Sequence, residues 1–411
     1  EEIKNNPNAL HNTEHKKQER KQMLEGIQCK GCQYCWNIEN MGSDYISDRH
    51  IRNASIYTDE RYKEVVEGPW NQNINPEYIE VSFGNECTFK CGYCHPKASS
   101  RFWQEIKQEG PYIDTDDHRC DIDWFKVYEE DDNPYIDAWW RWWPEVSKTL
   151  NILRITGGEP LIQKNTFRML DEIDKNPLPD LELNVNSNMG IKHGLVVKFV
   201  EKVQKLLDDG KIRNFKLFCS IDTWDKRNEY TRDGLDIELF EKNLEYFLSN
   251  STLPVTFMVT FNLFSVTNFD SLLRKILEWR QRFNYENQPE KDQFHRLRFD
   301  TPYLKEPSVF DMNILPKEQY MPYMWSHLNF IYHNMDDDDR TKFSYIEYEK
   351  FRRVVDYMLN TTYDSEKLKI ARKNFYGFFM EYDRRKNKNL LDYFPELDEF
   401  YMLCEDIYEN G

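Results

Sequence analysis

The chain has 411 residues and a mass of 50.0 kDa, enough to bury a full core as one main domain with appendages. Its 55 basic and 72 acidic residues leave a net charge of −17, a field that disfavours extended duplex nucleic acid and its phosphate backbone. No apolar run approaches a membrane span and Glu1 to Glu25 lacks the apolar core of a signal peptide, so a soluble cytoplasmic protein with no membrane partner is expected.

The amino end is polar and charge-mixed, with weak helical periodicity from Glu14 to Leu24. A run of Cys29, Cys32 and Cys35 follows, spaced C-x2-C-x2-C. A connection marked by Pro69 and Pro76 leads into a strand-like segment, Tyr78 to Phe83, and directly after it stand Cys87, Cys91 and Cys94, spaced C-x3-C-x2-C. Six of the nine cysteines thus lie in two tight triplets, which in a reducing compartment points to metal rather than disulfides. Three thiolates can hold three irons of a [4Fe–4S] cube and leave the fourth iron open for chemistry. Zinc is the alternative, but a structural zinc wants a fourth ligand. His95 adjoins Cys94, so the backbone would have to double back for both to reach one ion.

A long stretch from Ser99 to Leu150 carries Trp124, Trp139, Trp140, Trp142 and Trp143, with Arg141 among them. Such a run either stacks a substrate base or side chain, or forms an insertion that plugs the side of a barrel. Next comes a short apolar strand, Ile152 to Ile155, ending in Thr156-Gly157-Gly158-Glu159-Pro160. Paired glycines let a ligand approach the backbone, and the glutamate supplies one negative charge suited to an ammonium group. An ordinary strand-to-helix turn would use the same residues.

From there strand and helix alternate, the pattern of a parallel α/β sheet wound as a barrel or part of one. Further strands are expected at Leu181–Asn186, Phe215–Ile221, Val255–Phe261 and Leu297–Phe299. Helices are expected at Phe167–Asp174, Leu195–Asp208, Glu238–Leu248 and Ser271–Arg282, the last with an apolar stripe of Leu272, Leu273, Ile276 and Leu277. Cys219, inside an apolar strand, reads as a core thiol. Beyond Thr301 the chain turns helical and aromatic, as a cover for the open side of the barrel or as a substrate-recognition segment. The Asp336–Asp339 run reads as a solvated loop. Three parts are expected: 1–76 as a cysteine-rich extension, 77–300 as the partial barrel and 301–411 as a helical extension.

The C-x3-C-x2-C triplet with an aromatic residue before its last cysteine, followed by Gly-Gly-Glu-Pro at the second strand, resembles the radical SAM superfamily from about Tyr78 to Phe299. That resemblance implies a partial (β/α)6 barrel with ligand groups at the carboxyl ends of its strands. It implies a [4Fe–4S] cluster on Cys87, Cys91 and Cys94, and S-adenosylmethionine chelated at the open iron. Electron transfer, from a reductant such as flavodoxin or ferredoxin, then yields a 5′-deoxyadenosyl radical that takes hydrogen from substrate. By position, the backbone near Tyr93 would meet the adenine, and Gly157, Gly158 and Glu159 the methionine amino group. Asn186, Ser187 and Asn188 end the third strand, and Ser220 and Asp222 the fourth, each suited to a ribose or carboxylate. Arg232 would pair with the methionine carboxylate. No residue that touches the substrate is assigned.

A narrower likeness is to phage-associated radical SAM proteins with an amino-terminal twitch-type domain. It rests on Ser220-Ile221-Asp222 running into Asn228-Glu229-Tyr230 and Arg232, on Phe394-Pro395-Glu396-Leu397 and on Cys32 with Cys35. Thr223 stands where that pattern has Gly, and Asn188-Met189-Gly190 where it has Asn-Gly. The likeness implies an auxiliary iron–sulfur cluster on Cys29, Cys32 and Cys35, with zinc as the rival, and a fourth ligand from Cys120, Cys404 or a substrate atom. Such a domain accompanies peptide modification in related families, so a peptide or protein side chain is the expected substrate. A nucleotide or modified base is the second expectation, and a non-catalytic iron–sulfur or zinc module the third.

Overall fold

Alternation of apolar with polar residues along each core strand sets the architecture. The structure, a computed structural model, describes residues 2–40, 47, 49–50, 58–112, 132–283 and 295–411. Cys120 and Trp124 lie outside the described residues. Six strands lie side by side in chain order in one open parallel sheet: β1 (Tyr78–Ser82), β2 (Ile152–Thr156), β3 (Leu178–Ser187), β4 (Ile212–Ser220), β5 (Val255–Met258) and β6 (Leu297–Asp300). This is an α/β fold with the open, partial-barrel sheet that the alternation predicts. Ile221 follows β4 rather than ending it, and Phe261 keeps only an isolated bridge to Tyr303.

Helices follow the strands: α1 (Glu14–Leu24) and α2 (Gln33–Glu39) precede the sheet, and α3 (Ser100–Glu109) and α4 (Pro134–Val146) come between β1 and β2. After them run α5 (Lys164–Lys175), α6 (His193–Asp208), α7 (Lys226–Thr231), α8 (Ile237–Asn250) and α9 (Phe269–Arg282). The segment beyond β6 folds as α10 (Lys317–His333), α11 (Tyr345–Asn360), α12 (Ser365–Lys386) and α13 (Asp398–Asn410). No helix among the described residues is long and apolar enough to cross a membrane.

Period two splits each strand into two faces. Phe215, Leu217 and Cys219 of β4, Val255 and Phe257 of β5, and Leu297 and Phe299 of β6 are buried. The alternate positions Lys216, Phe218, Ser220, Met258, Arg298 and Asp300 stay half-exposed and mostly polar. Parallel strands covered by helices on both faces read as continuous apolar runs; here one face of β4 to β6 is left largely half-exposed and mostly polar.

The chain gathers into two compact units. The smaller comprises Glu1–Val81, Tyr128–Arg154 and Leu178–Leu183, and its core holds Trp139, Trp142 and Trp143 of α4, each no more than 4% exposed. These tryptophans pack on one another, with Trp139 edge-on to Trp142 at 6.3 Å, so they fill a core and offer no open stacking surface to a base.

The larger unit comprises Ser82–Val127, Ile155–Pro177 and Asn184–Gly411, so the helices beyond β6 belong with the barrel. One buried ion pair explains much of that attachment. Arg280 of α9 meets Glu347 of α11 at 2.6 Å, and the same carboxylate accepts the Phe299 N–H of β6 at 3.0 Å and closes a capping box with Ser344. Removing one partner of such a pair costs about 3–5 kcal/mol, because it strands a buried charge.

Candidate metal and cofactor centre

The loop after β1 carries Cys87, Cys91 and Cys94, and backbone groups from two other segments hold it. Glu159 N donates to Glu86 O at 2.7 Å, Lys90 N to Asp233 O at 2.7 Å and Gly92 N to Thr231 O at 3.2 Å. Inside the loop's own end, Ser99 Oγ donates to Phe89 O at 2.7 Å. A loop with its backbone groups satisfied this way can present three thiols without a strand or helix of its own.

Glycines make these approaches sterically allowed. A Cβ on Gly158 would stand 2.3 Å from Glu86 O, and one on Gly92 would stand 2.7 Å from Phe310 Cζ and 3.2 Å from Tyr382 Cε2. The helices beyond β6 therefore reach the cysteine loop, and Tyr93 meets Phe310 edge-on at 5.6 Å. Sequence reasoning gave Gly92, Phe310 and Tyr382 no part in the site; only the glycine between two cysteines hinted at a close approach.

The strand ends then bring the expected cofactor residues together in two clusters. In the first, the fully buried Glu159 carboxylate accepts from Leu161 N at 3.0 Å, Ser187 Oγ at 2.9 Å and Asn188 N at 2.6 Å. Burial pushes this carboxyl up to about 7 despite the three donors. Asn188 in turn directs its amide nitrogen to Thr88 Oγ1 at 3.3 Å and Cys87 Sγ at 3.8 Å. Glu159 thus clips the end of β3 to the cysteine loop, and all its bonds run within the protein. Gly157, with φ +123°, and Gly158 lie against Gly84 O and Glu86 O. Asn186 is half-buried two residues before Asn188.

In the second cluster, Asp222 and Arg232, both buried, form a bidentate pair at 2.7 and 3.1 Å. Tyr93 Oη donates to Asp222 Oδ2 at 2.6 Å, and the Arg232 guanidinium lies 5.6 Å from the Tyr93 ring centroid. Residues expected to contact a ligand separately are here bonded to each other, and the Arg232 charge acts on the Cys91 thiol against the effect of burial. Ser220 is half-exposed at the end of β4.

The thiols themselves fit a thiolate-demanding centre. Burial pushes Cys87 up to about 12 and Cys91 well above the ordinary thiol range, with the neighbouring thiols adding to both shifts. Such groups stay protonated until a cation replaces the proton, which is how a metal or cluster couples to a buried cysteine site. Phe89 N donates to Cys87 Sγ at 3.5 Å and Cys94 Sγ reaches His95 O at 3.6 Å. Among the described residues no group of three His, Cys, Asp or Glu side chains is gathered tightly enough to hold a metal ion. His95 instead caps its own turn, its Nδ1 accepting from Lys97 N at 2.9 Å.

Cys29, Cys32 and Cys35 lie on a short turn entering α2. Cys29 is buried, and burial together with the hydrogen bond that the Cys32 thiol gives Cys29 pushes Cys32 up to about 11. Trp36 Nε1 donates to Cys29 O at 2.9 Å, and Arg49 stacks 4.0 Å over the Trp36 ring. Cys404 is fully buried in α13, in the larger unit, where the Arg372 charge acts on it. Cys219 is likewise fully buried in β4. Asp336 to Asp339 form a turn bonded to its own backbone and to Thr341 and Tyr345.

No protein-family model matches the chain. Over 134 residues it is 29% identical to GTP 3′,8-cyclase of Hydrogenovibrio crunogenus (strain DSM 25203 / XCL-2), a match that covers 32% of each chain. The chain thus spans about a third of that relative's length. Among solved structures it is similar to native anSMEcpe with bound AdoMet, at 14% identity and a TM-score of 0.39, covering 62% of this chain and 60% of the other.

Proposed function

We propose that the chain is a radical SAM enzyme, in which Cys87, Cys91 and Cys94 hold a [4Fe–4S] cluster with one iron left for S-adenosylmethionine. The carrying observation is convergence. The ends of β2, β3 and β4 all bond to one cysteine loop, through Glu159, Asn188 and the Tyr93–Asp222–Arg232 cluster. The sequence likeness to GTP 3′,8-cyclase over 134 residues supports the same chemistry.

In this reading the chain's own residues divide the work. Gly157 and Gly158 admit the cofactor to the backbone, and Glu159 supplies negative charge beside an ammonium once ionised above about pH 7. Asn186, Ser187, Asn188 and Ser220 offer hydrogen bonds to ribose or carboxylate. Arg232 and Asp222 exchange part of their mutual pairing for the cofactor's carboxylate and hydroxyls. When bound, cluster and cofactor supply a 5′-deoxyadenosyl radical that takes a hydrogen atom from substrate.

The substrate is a peptide or protein side chain. The half-exposed polar face of the sheet, with Lys216, Ser220, Arg298 and Asp300, suits a hydrogen-bonding partner. A nucleotide is the second reading, favoured by the name of the matched relative and by the same polar face. The Cys29–Cys35 triplet is assigned an auxiliary iron–sulfur cluster, and the protein to the cytoplasm. The test is 5′-deoxyadenosine formation from S-adenosylmethionine by the anaerobically reconstituted, dithionite-reduced chain. If Cys91→Ala forms as much as the wild type, the assignment fails.

A further inference from the structure

Gln163 breaks two local rules at once. It stands at the N-cap of α5, yet its side chain gives that helix no cap. It reaches instead to Gly84 O, 79 positions earlier, with Nε2 donating at 3.0 Å. The residue is fully buried, and its Oε1 has no hydrogen-bond partner among the described residues. Turning the amide round gives no relief, because Oε1 would then face the Gly84 carbonyl, acceptor against acceptor. An uncapped helix and an unpaired buried acceptor each cost stability, so stability does not account for a glutamine here.

What the amide holds is a junction of two turns. Gly84 O also accepts from Gly158 N at 3.1 Å and from Ser82 Oγ at 3.4 Å. A Cβ on Gly157 would stand 2.6 Å from that same oxygen and 3.5 Å from Gln163 Nε2. Further along, Glu159 N donates to Glu86 O at 2.7 Å, and Cys87 follows directly. Gln163 therefore fixes the carbonyl through which the Gly157–Gly158 turn is seated against the chain entering the cysteine loop. Its side chain has no open surface for a ligand, so its influence passes through these backbone groups.

We propose that Gln163 is a positioning residue for the cofactor, setting the seat of the methionine ammonium at Gly157 and Gly158 relative to the three thiols. The inference rests on the radical SAM reading and deepens it by naming a residue outside the glycine pair and outside both side-chain clusters. The amide supplies what no apolar side chain can, a directed donor that holds Gly84 O beside Gly158 N. Local rules broken without a gain in stability are the pattern of a site shaped for function.

Gln163→Met, close in volume and without the amide, separates this role from a purely structural one. The variant loses an unpaired acceptor while Gly84 O keeps two other donors, so the thermal midpoint should be unchanged or higher. In equilibrium dialysis against the anaerobically reconstituted, unreduced holoprotein, it should bind S-adenosylmethionine about tenfold more weakly at wild-type iron content. Gln163→Glu supplies a second measurement. Its buried carboxyl can donate to Gly84 O only when protonated, so its affinity relative to wild type should recover near about pH 6 and fall near about pH 8. Affinity within about twofold of wild type in Gln163→Met, or a Gln163→Glu ratio that does not move with pH, overturns the proposal. A lowered midpoint with iron lost overturns it too, and leaves Gln163 a structural residue. Failure of the wild-type holoprotein to bind S-adenosylmethionine instead defeats the radical SAM reading, and this inference with it.

Discussion

Two runs of three cysteines supply the same donor atoms on different supports. Cys87, Cys91 and Cys94 sit on a loop with no helix or strand of its own, fixed by backbone bonds from Glu159, Thr231 and Asp233. Cys29, Cys32 and Cys35 sit on a helical turn fixed by near neighbours, through Trp36 to Cys29 O and Arg49 over Trp36. The first arrangement exists only when the whole barrel has folded, and so can couple its thiols to strand-end groups such as Asn188 and Arg232. The second is complete within a short segment. What binds on the first is tied to the barrel's chemistry, whereas what binds on the second is tied only to its own turn.

The largest expected contrast is catalytic. Cys91→Ala should remove about four irons per chain and reduce 5′-deoxyadenosine formation to background. Cys32→Ala should also remove metal but leave formation of 5′-deoxyadenosine without substrate above about a tenth of wild type, since the support described for that triplet lies within its own segment. Metal analysis with product quantification decides it. Equal loss in both variants would erase the distinction drawn between the supports.

Backbone approach gives the next contrast. In Gly158→Ala the new Cβ meets Glu86 O at 2.3 Å, a backbone atom that can move only by dislodging the cysteine loop. In Gly31→Ala the new Cβ meets Glu19 Oε1 at 2.2 Å, the end of a flexible side chain that can swing away. Chemical denaturation should find Gly158→Ala destabilised by on the order of 3 kcal/mol and Gly31→Ala within about 1 kcal/mol of wild type.

A pH dependence sharpens the comparison further. The Glu159 carboxyl stands at about 7 in the folded chain against 4.5 for the ordinary group, so between those values the folded state holds a proton that the unfolded state has released. Stability should therefore fall as pH rises from about 4.5 to 7, by about 3 kcal/mol, and be flat from this source on either side. Glu159→Gln should abolish that fall. The Arg49 guanidinium holds Glu39 down to about 2, so that support of the other triplet keeps its charge throughout the same window. Denaturant midpoints across pH 4 to 8 test the sign; a midpoint that rises over this range would refute it.

Most of this architecture is legible one strand at a time. Ile152–Thr156 begins and ends where its apolar alternation does, and Glu14–Leu24 matches its helical period despite a polar composition, because Thr13 caps it through Lys16 N. β3 runs longer than its apolar stretch because Leu178, Pro179 and Asp180 still pair at its start. The site was legible as ligand types but not as contacts. Glu159 reads from sequence as a negative charge suited to an ammonium, but its donors Ser187 and Asn188, up to 29 positions away at the end of β3, do not. Lys386 reaches Glu105 across 281 positions, a pairing no local pattern can contain. The tryptophans of α4 were legible as aromatic but not as core, since helical spacing places Trp139, Trp142 and Trp143 on one side only once Ile136 and Val146 are seen buried with them.

The smallest effect isolates the local support. Trp36 is 7% exposed and its indole N–H donates to Cys29 O, so Trp36→Phe keeps the ring's packing under Arg49 but removes one of two hydrogen bonds to that carbonyl, the other coming from Cys32 N at 3.2 Å. The expected cost is about 1 kcal/mol, with metal bound by the Cys29 triplet released sooner to a chelator and iron at Cys87, Cys91 and Cys94 unchanged. Chelator-release kinetics read both centres in one sample. Faster release from both would mean the two supports share more of the fold than their contacts imply.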